Sequence, residues 1–427
     1  MGKLLAFSAT MCCALAISCS STESAGSESS LAGLATTFDS TGDTIVARVA
    51  GEVPTAAVRQ VAERWRVAAT EADTALFSSI EWAKVDLADR TWAYDETSAR
   101  LYRIDASGRL LGAVGGRGGG PGEFASNSGM AATHDSGMAV WDPRQARVSL
   151  FAGDGTFRRT LRTPGTLYAS DGLQASRTGA LYLKRELRPP SGTEIVAPIG
   201  LVRLDSSGAD VDTIVPNVPQ VSTPVYTART STVGASASSN HAAEAHWAWH
   251  PAGFVVTGHG GRYEITIAPR GGRPVVIRRA LTPIVVPPEE RADDQARITW
   301  VMRLNIPGWT WSGPAVPDTK APLTRLRVDR SGRIWARVAT PSVRIPDAEL
   351  EPVKRNKPPY RFTAPNVWEI FAASGRFLGR LELPPRSELV EADRDNLWLL
   401  ETDQDELPSV VRGTITPSLS QAPVKSP

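Results

Sequence analysis

The stretch Asp95-Glu-Thr-Ser-Ala-Arg100-Leu-Tyr-Arg-Ile104-Asp-Ala-Ser-Gly108 has a counterpart 47 residues later, Asp142-Pro-Arg-Gln-Ala-Arg147-Val-Ser-Leu-Phe151-Ala-Gly-Asp-Gly155. The Asp, Arg, apolar and Gly positions coincide. Each copy reads as a turn, an alternating strand and a tight turn closed by glycine. Glycine suits that last place because hairpin turns often need a positive φ. The unit recurs as 201–208, 263–271 and 367–375, and as Phe38-Asp-Ser-Thr-Gly42 near the N-terminus. That makes six copies, ending at Gly42, Gly108, Gly155, Gly208, Gly271 and Gly375.

A second kind of turn falls between them, at Ala88-Asp89, Ser136-Gly137, Thr178-Gly179, Ala252-Gly253, Ser331-Gly332 and Asp395-Asn396. An apolar strand follows each, carrying Trp92, Trp141, Tyr182, Phe254, Trp335 or Trp398. Two hairpins per unit make a four-stranded antiparallel blade, and internal repeats of this length are the mark of a propeller. The expected fold is therefore all-β: one six-bladed β-propeller, closed by an N-terminal strand joining the C-terminal blade. The order of the turns assigns Thr44 to Val49 that closing role, because the chain opens on a second-hairpin turn and ends on a first-hairpin turn.

Gly115-Gly-Arg-Gly-Gly-Gly-Pro-Gly-Glu-Phe124, then Asp-x-x-x-x-Arg and Phe-x-x-x-Gly in the next blade, resembles the NHL-type propellers. The Phe-Asp-Ser-x-Gly start and the Asp-x-Ser-Gly-Arg-Ile-Trp unit at 329–335 are similar to six-bladed propeller lipoproteins of bacterial envelopes. The resemblance covers roughly 36–416 and implies blades, not a chemistry.

The first residues read as an export signal. Lys3 precedes an apolar run from Leu4 to Ile17 that is too short to span a bilayer. Leu15-Ala16-Ile17-Ser18-Cys19 resembles a lipobox, with Ala16 where Leu is more usual; it implies cleavage before Cys19 and lipidation of its thiol. The bland alternative is an ordinary cleaved signal. With Cys12 and Cys13 removed, neither an intramolecular disulfide nor a thiolate metal site could form. The expected organisation is a signal peptide over 1–18, a tether over 19–35 rich in Ser, Thr, Glu, Gly and Ala, the propeller over 36–416, and a disordered tail over 417–427. Insertions are expected near 53–75, 281–322 and 340–365. The first has helical character, with Val58, Val61, Ala62 and Trp65 on one face, and Pro288 to Leu304 holds a short helix.

Lys and Arg number 47 against 45 Asp and Glu, a net charge of +2 with no basic block, so nucleic acid is not an expected partner. The glycine-rich run lacks a Gly-Lys-Ser/Thr ending and should lead into a strand, which leaves no helix N-terminus for a phosphate. Asp95 and Arg100, like Asp142 and Arg147, read as turn-capping and cross-strand residues.

His246 and His250, in His246-Trp-Ala-Trp-His250, share one face of a strand but lie about 13 Å apart, so they are weak metal candidates. Some NHL-related lyases bind zinc through channel histidines; interface histidines are the plain alternative. Trp309 and Trp311 stand in a turn-rich stretch, Pro307 to Pro314, and could stack on a ligand or plug a gap between blades. No Gly-x-Ser-x-Gly elbow or His-Glu-x-x-His motif occurs. Catalytic residues are therefore unassigned. Glu81, Asp86, Glu244 and Glu391 fall on or near innermost strands and could converge in a channel, as in six-bladed lactonases.

The favoured reading is a membrane-tethered monomer that binds a peptide, a glycan or an envelope protein without a cofactor. The alternative is a metal-assisted hydrolase or lyase with its site in the central channel, and only that reading calls for Ca or Zn.

Overall fold

The computed structural model describes residues 34–68, 78–163, 172–188, 198–230, 233–350 and 357–420. The stretches expected to form the export signal and most of the tether, Cys19 among them, lie outside these residues, as does the end of the expected tail. The described residues are almost all strand and turn, with one α-helix.

β1 (Leu34–Thr41) and β2 (Thr44–Gly51) form a hairpin, and β3 (Val58–Ala68) follows. Four-stranded antiparallel sheets then succeed one another. The first comprises β4 (Ile80–Val85), β5 (Thr91–Asp95), β6 (Arg100–Ile104) and β7 (Leu110–Gly115). The second comprises β8 (Met130–Ala132), β9 (Met138–Asp142), β10 (Arg147–Phe151) and β11 (Phe157–Arg162). β12 (Leu173–Ala175), β13 (Leu181–Glu186), β14 (Ile199–Leu204) and β15 (Asp210–Ile214) make the third.

A separate hairpin, β16 (Val225–Arg229) and β17 (Gly234–Ser238), precedes the fourth sheet of β18 (Ala245–His250), β19 (Phe254–His259), β20 (Glu264–Ile267) and β21 (Val275–Arg279). Helix α1 (Pro288–Asn305) then packs on that hairpin. The fifth sheet has β22 (Leu323–Val328) and β23 (Ile334–Val338), then the inserted hairpin β24 (Val343–Arg344) and β25 (Phe362–Thr363), then β26 (Asn366–Phe371) and β27 (Phe377–Leu383). The last sheet is built on β28 (Ser387–Asp393), β29 (Asn396–Thr402) and β30 (Pro408–Thr416).

The first strands of these sheets, β4, β8, β12, β18, β22 and β28, all border one cavity. Apolar clusters fill the spaces between successive sheets. Trp92, Phe124 and Phe151 lie between the first and second, Trp141 and Leu183 between the second and third, and Tyr182 and Trp249 between the third and fourth. Ile265 and Leu326 lie between the fourth and fifth, Trp335 and Leu397 between the fifth and last, and Val410 and Tyr102 between the last and first. Sheets packed face to face around a central axis make a β-propeller. The aromatic residues expected after each second-type turn are all buried. Burial of such a side chain contributes roughly 2–3 kcal/mol. All six turn glycines have positive φ, from 58° at Gly42 to 96° at Gly208. A polar tie joins the fourth and fifth sheets as well: Tyr263 donates to the buried carboxylate of Glu369, which also takes Arg279 and Arg380.

Closure differs from the expectation in its strand. Thr44 to Val49 does not complete the last sheet. β2 runs parallel to β21 on the outer edge of the fourth sheet, and β1 adds a further strand outside it. Val46, Ala47 and Val49 are buried there, and Ala47 sits so close to Gly375 that a Cβ at that glycine would come within 2.6 Å. The strand that joins the C-terminal sheet is β3, antiparallel to β30, with a short parallel contact to β27 at Val58 and Arg59.

The helical character expected over 53–75 is thus overturned for its described part. A bulge between Glu63 and Trp65 explains the misleading pattern. It turns Val61 toward the cluster shared with the fifth sheet, and Trp65 and Val67 toward the first. An interrupted period of two mimics a helical period. The helix expected at Pro288 is present as α1. At the other end, Leu419 is buried and Ser418 hydrogen-bonds to Asp395, so the ordered chain extends past residue 416.

Candidate functional site

The central cavity encloses about 780 Å³. A narrower one, of about 240 Å³, continues it toward the starts of the same strands. Lys84, Gln174, Arg325, Arg327 and Val390 border both and form a waist between them. Each is on an innermost strand, where alternation sends every second side chain to one face. Arg325 and Arg327 share a face of β22 for this reason.

The waist is rich in cations. Lys84 Nζ pairs with Glu391 at 2.8 Å. Arg325 and Arg327 both pair with the same oxygen of Glu388, at 2.7 and 2.8 Å. Arg337 stands opposite Arg325 in register on β23. Burial, and then the charge of Arg325, hold its guanidinium below the usual arginine range. No ion pair reaches Arg337 among the described residues.

The wider cavity adds Arg177, Lys184 and Arg330, set against Glu244, Asp329, Glu391 and Asp393. Arg330 pairs with Asp89 and Asp393 at 3.0 and 3.8 Å. Lys184 Nζ lies 5.1 Å from the centre of the Trp247 ring, so Trp247 presents a cation–π pair to the cavity.

The carboxylates anticipated in the channel divide by environment. Glu244 and Glu391 line the wide cavity, and Glu81 lines the narrow one. The Glu81 carboxyl is pushed up by burial and then by Glu96. Asp86 is fully buried and serves its turn, accepting from Arg90 and, at 2.9 Å, from the indole of Trp92. Asp329 holds Trp335 in the same way at 3.1 Å.

His246 and His250 do not meet. His246 Nε2 is 3.0 Å from the Leu323 carbonyl, and burial lowers its pKa. His250 stacks on Phe254 and accepts from the Ala252 N–H. Burial, followed by the charge of Arg177, brings its pKa down to about 4. Among the described residues, no three His, Cys, Asp or Glu side chains are grouped to hold a metal ion.

Trp309 and Trp311 are remote from the cavity. Trp309 is buried in a satellite cluster with Tyr226, Ile298 and Met302, the packing alternative of the two. Trp311 packs on Tyr226 with ring centres 4.5 Å apart. In the glycine-rich run, Glu123 accepts from the Gly120 N–H at 2.7 Å and so occupies a donor that an anion would need. Asp142 caps its turn as expected, but Arg147 takes different partners, the carbonyls of Gly119, Gly120 and Glu123.

The residues that sequence reasoning missed are the waist cations and Trp247. Leu323-Thr-Arg-Leu-Arg-Val328 did carry a signal: arginines two apart in a strand otherwise built for a core.

The chain matches no family model and no curated protein. Solved structures similar to it include a Bacteroides fragilis protein inferred to be exported, at 10% identity over 87% of this chain and 99% of that one, with a TM-score of 0.45. A Bacteroides vulgatus member of the DUF4221 family matches at 9% identity over 84% and 98%, with a TM-score of 0.47. A gluconolactonase from Xanthomonas campestris matches at 14% identity over 79% and 88%, with a TM-score of 0.37. The propeller assignment rests on the strand order and inter-sheet packing of this chain. No helix among the described residues is long and apolar enough to cross a membrane.

Proposed function

We propose that this chain is an exported six-bladed propeller, lipid-anchored through Cys19, that acts as a monomeric binding module without a resident cofactor. The ligand is a peptide, a glycan or a segment of an envelope protein, and it enters the wide end of the channel. One observation carries this reading: every innermost strand supplies side chains to a single cavity of about 780 Å³, a volume suited to a compact ligand or to one residue of a longer chain. Lys84, Gln174, Lys184, Arg325, Arg327 and Glu391 stand on strands, so their geometry is preset and little ordering of them is needed on binding.

The test is capture from glycan and peptide arrays by the purified protein. Trp247→Ala should abolish capture while leaving thermal stability within a few degrees of the parent. Stoichiometric bound metal, with turnover of a lactone that disappears on chelation, would replace this reading by the hydrolase or lyase one. For the anchor, Cys19→Ser should move the protein from the membrane fraction to the soluble one.

A further inference from the structure

The waist of the channel is charged out of balance. Lys84, Arg325 and Arg327 pair with only two carboxylates, Glu391 and Glu388, and Arg337 stands in register with Arg325 on the next strand. Glu391 is engaged by Lys84. Glu388 alone serves Arg325 and Arg327 through one oxygen, and its side chain is 49% exposed. Two forks aimed at one carboxylate oxygen leave most of their N–H groups for another acceptor. Arginine forks match carboxylate and phosphate oxygens in geometry. The narrow cavity adds Glu81 to Glu388, and the wide one adds Arg177, Lys184 and Arg330 together with Glu244, Asp329, Glu391 and Asp393.

From this arrangement we infer that the waist is an anion site, which receives a carboxylate or phosphate group of the ligand against Arg325 and Arg327, with Arg337 behind them. The inference rests on the reading of the cavity as the ligand site and narrows it to ligands that carry such a group. Glu388 is the internal occupant of the same position. One of its oxygens accepts from both arginines, so it bridges them and competes with the incoming anion.

This competition gives the test its direction. Inorganic phosphate and acetate are titrated separately into the full-length protein and followed by the chemical shifts of the waist strands. Glu388→Gln removes the competitor and should tighten phosphate or acetate binding roughly tenfold. Arg325→Gln with Arg327→Gln should abolish binding, and Arg337→Gln should weaken it. The anion that responds identifies the group, phosphate or carboxylate. A purely structural role for the arginines predicts no gain in Glu388→Gln, and that result overturns the assignment. Circular dichroism of each variant separates loss of binding from loss of fold. If array capture that depends on Trp247 persists while neither anion binds the Glu388→Gln protein, the anion assignment falls and the cavity reading stands. Anion binding that depends on the arginines, without any array capture, leaves the anion site in place and overturns the wider reading.

Discussion

Trp65 donates its indole N–H to the carbonyl oxygen of Ala106, 3.0 Å away. The two residues belong to different ends of the ring, β3 in the last sheet and the outer turn of the first. Arg412 of β30 donates to the same carbonyl at 2.8 Å. The Trp65 ring also covers Gly108, where an added Cβ would come within 2.8 Å of it. This is the latch that joins the last sheet to the first. Trp65→Ala should cost about 2 kcal/mol, below the range for a fully buried tryptophan because the ring is only half-buried. Urea unfolding measures the loss. An unchanged midpoint would show that the ring closes without the latch.

The same geometry separates the roles of the N-terminal strands. β1 and β2 extend the fourth sheet, which already has four strands of its own. β3 is the fourth strand of the last sheet, and β30 has no other outer partner among the described residues. Removing 34–51 should therefore lower stability while leaving a closed and cooperative ring. Removing the chain through residue 68 uncovers Val410, Val411 and Ile415 and should abolish cooperative unfolding. Thermal unfolding of the two truncations is the comparison. Equal loss in both would return the closing role to the β1–β2 hairpin.

The turns were legible because the backbone demands particular residues there. Gly108, Gly155, Gly208 and Gly375 all have φ near 90°, which side-chain-bearing residues rarely adopt. Alternation showed that Thr44 to Val49 is a strand, but nothing in its pattern says which sheet edge it joins. Long-range pairing depends on the shape of the edge at β21, and one strand does not encode that shape. β3 was illegible for a local reason, because its bulge breaks the period on which a strand is recognised. The waist failed differently. Lys84, Arg325 and Glu388 are far apart in the chain, and only ring closure brings them to one place.

Acid should destabilise the protein through its buried histidines. His250 has a folded pKa of about 4, against an ordinary value of 6.5, because burial disfavours its charged form. The unfolded chain therefore binds the proton more readily across that window. The stability that comes from keeping His250 neutral is full above pH 6.5 and is lost as the pH falls toward 4. The amount is on the order of 3 kcal/mol. His241 and His246, also lowered chiefly by burial, add in the same direction. In His250→Gln the loss of stability between pH 6.5 and 4 should be visibly shallower than in the parent. Parallel curves for the two proteins would show that His250 titrates normally.

Trp309 offers the sharpest contrast between a binding and a packing role. It is 7% exposed, and Arg303 of α1 donates to its carbonyl at 2.9 Å. Its ring neighbours are Tyr226 of β16 and Ile298 and Met302 of α1, a cluster separate from those between the sheets. Trp309→Ala should therefore loosen α1 and the β16–β17 hairpin by about 3 kcal/mol, since a tryptophan-sized cavity opens in a small core. The ring strands should keep their own stability, because local clusters open as separate units. Hydrogen exchange resolves the two: protection should fall in α1 and remain in β5, β9 and β29. Array capture should be unchanged. If protection stays high in α1 and capture is lost instead, the tryptophan pair is the ligand contact.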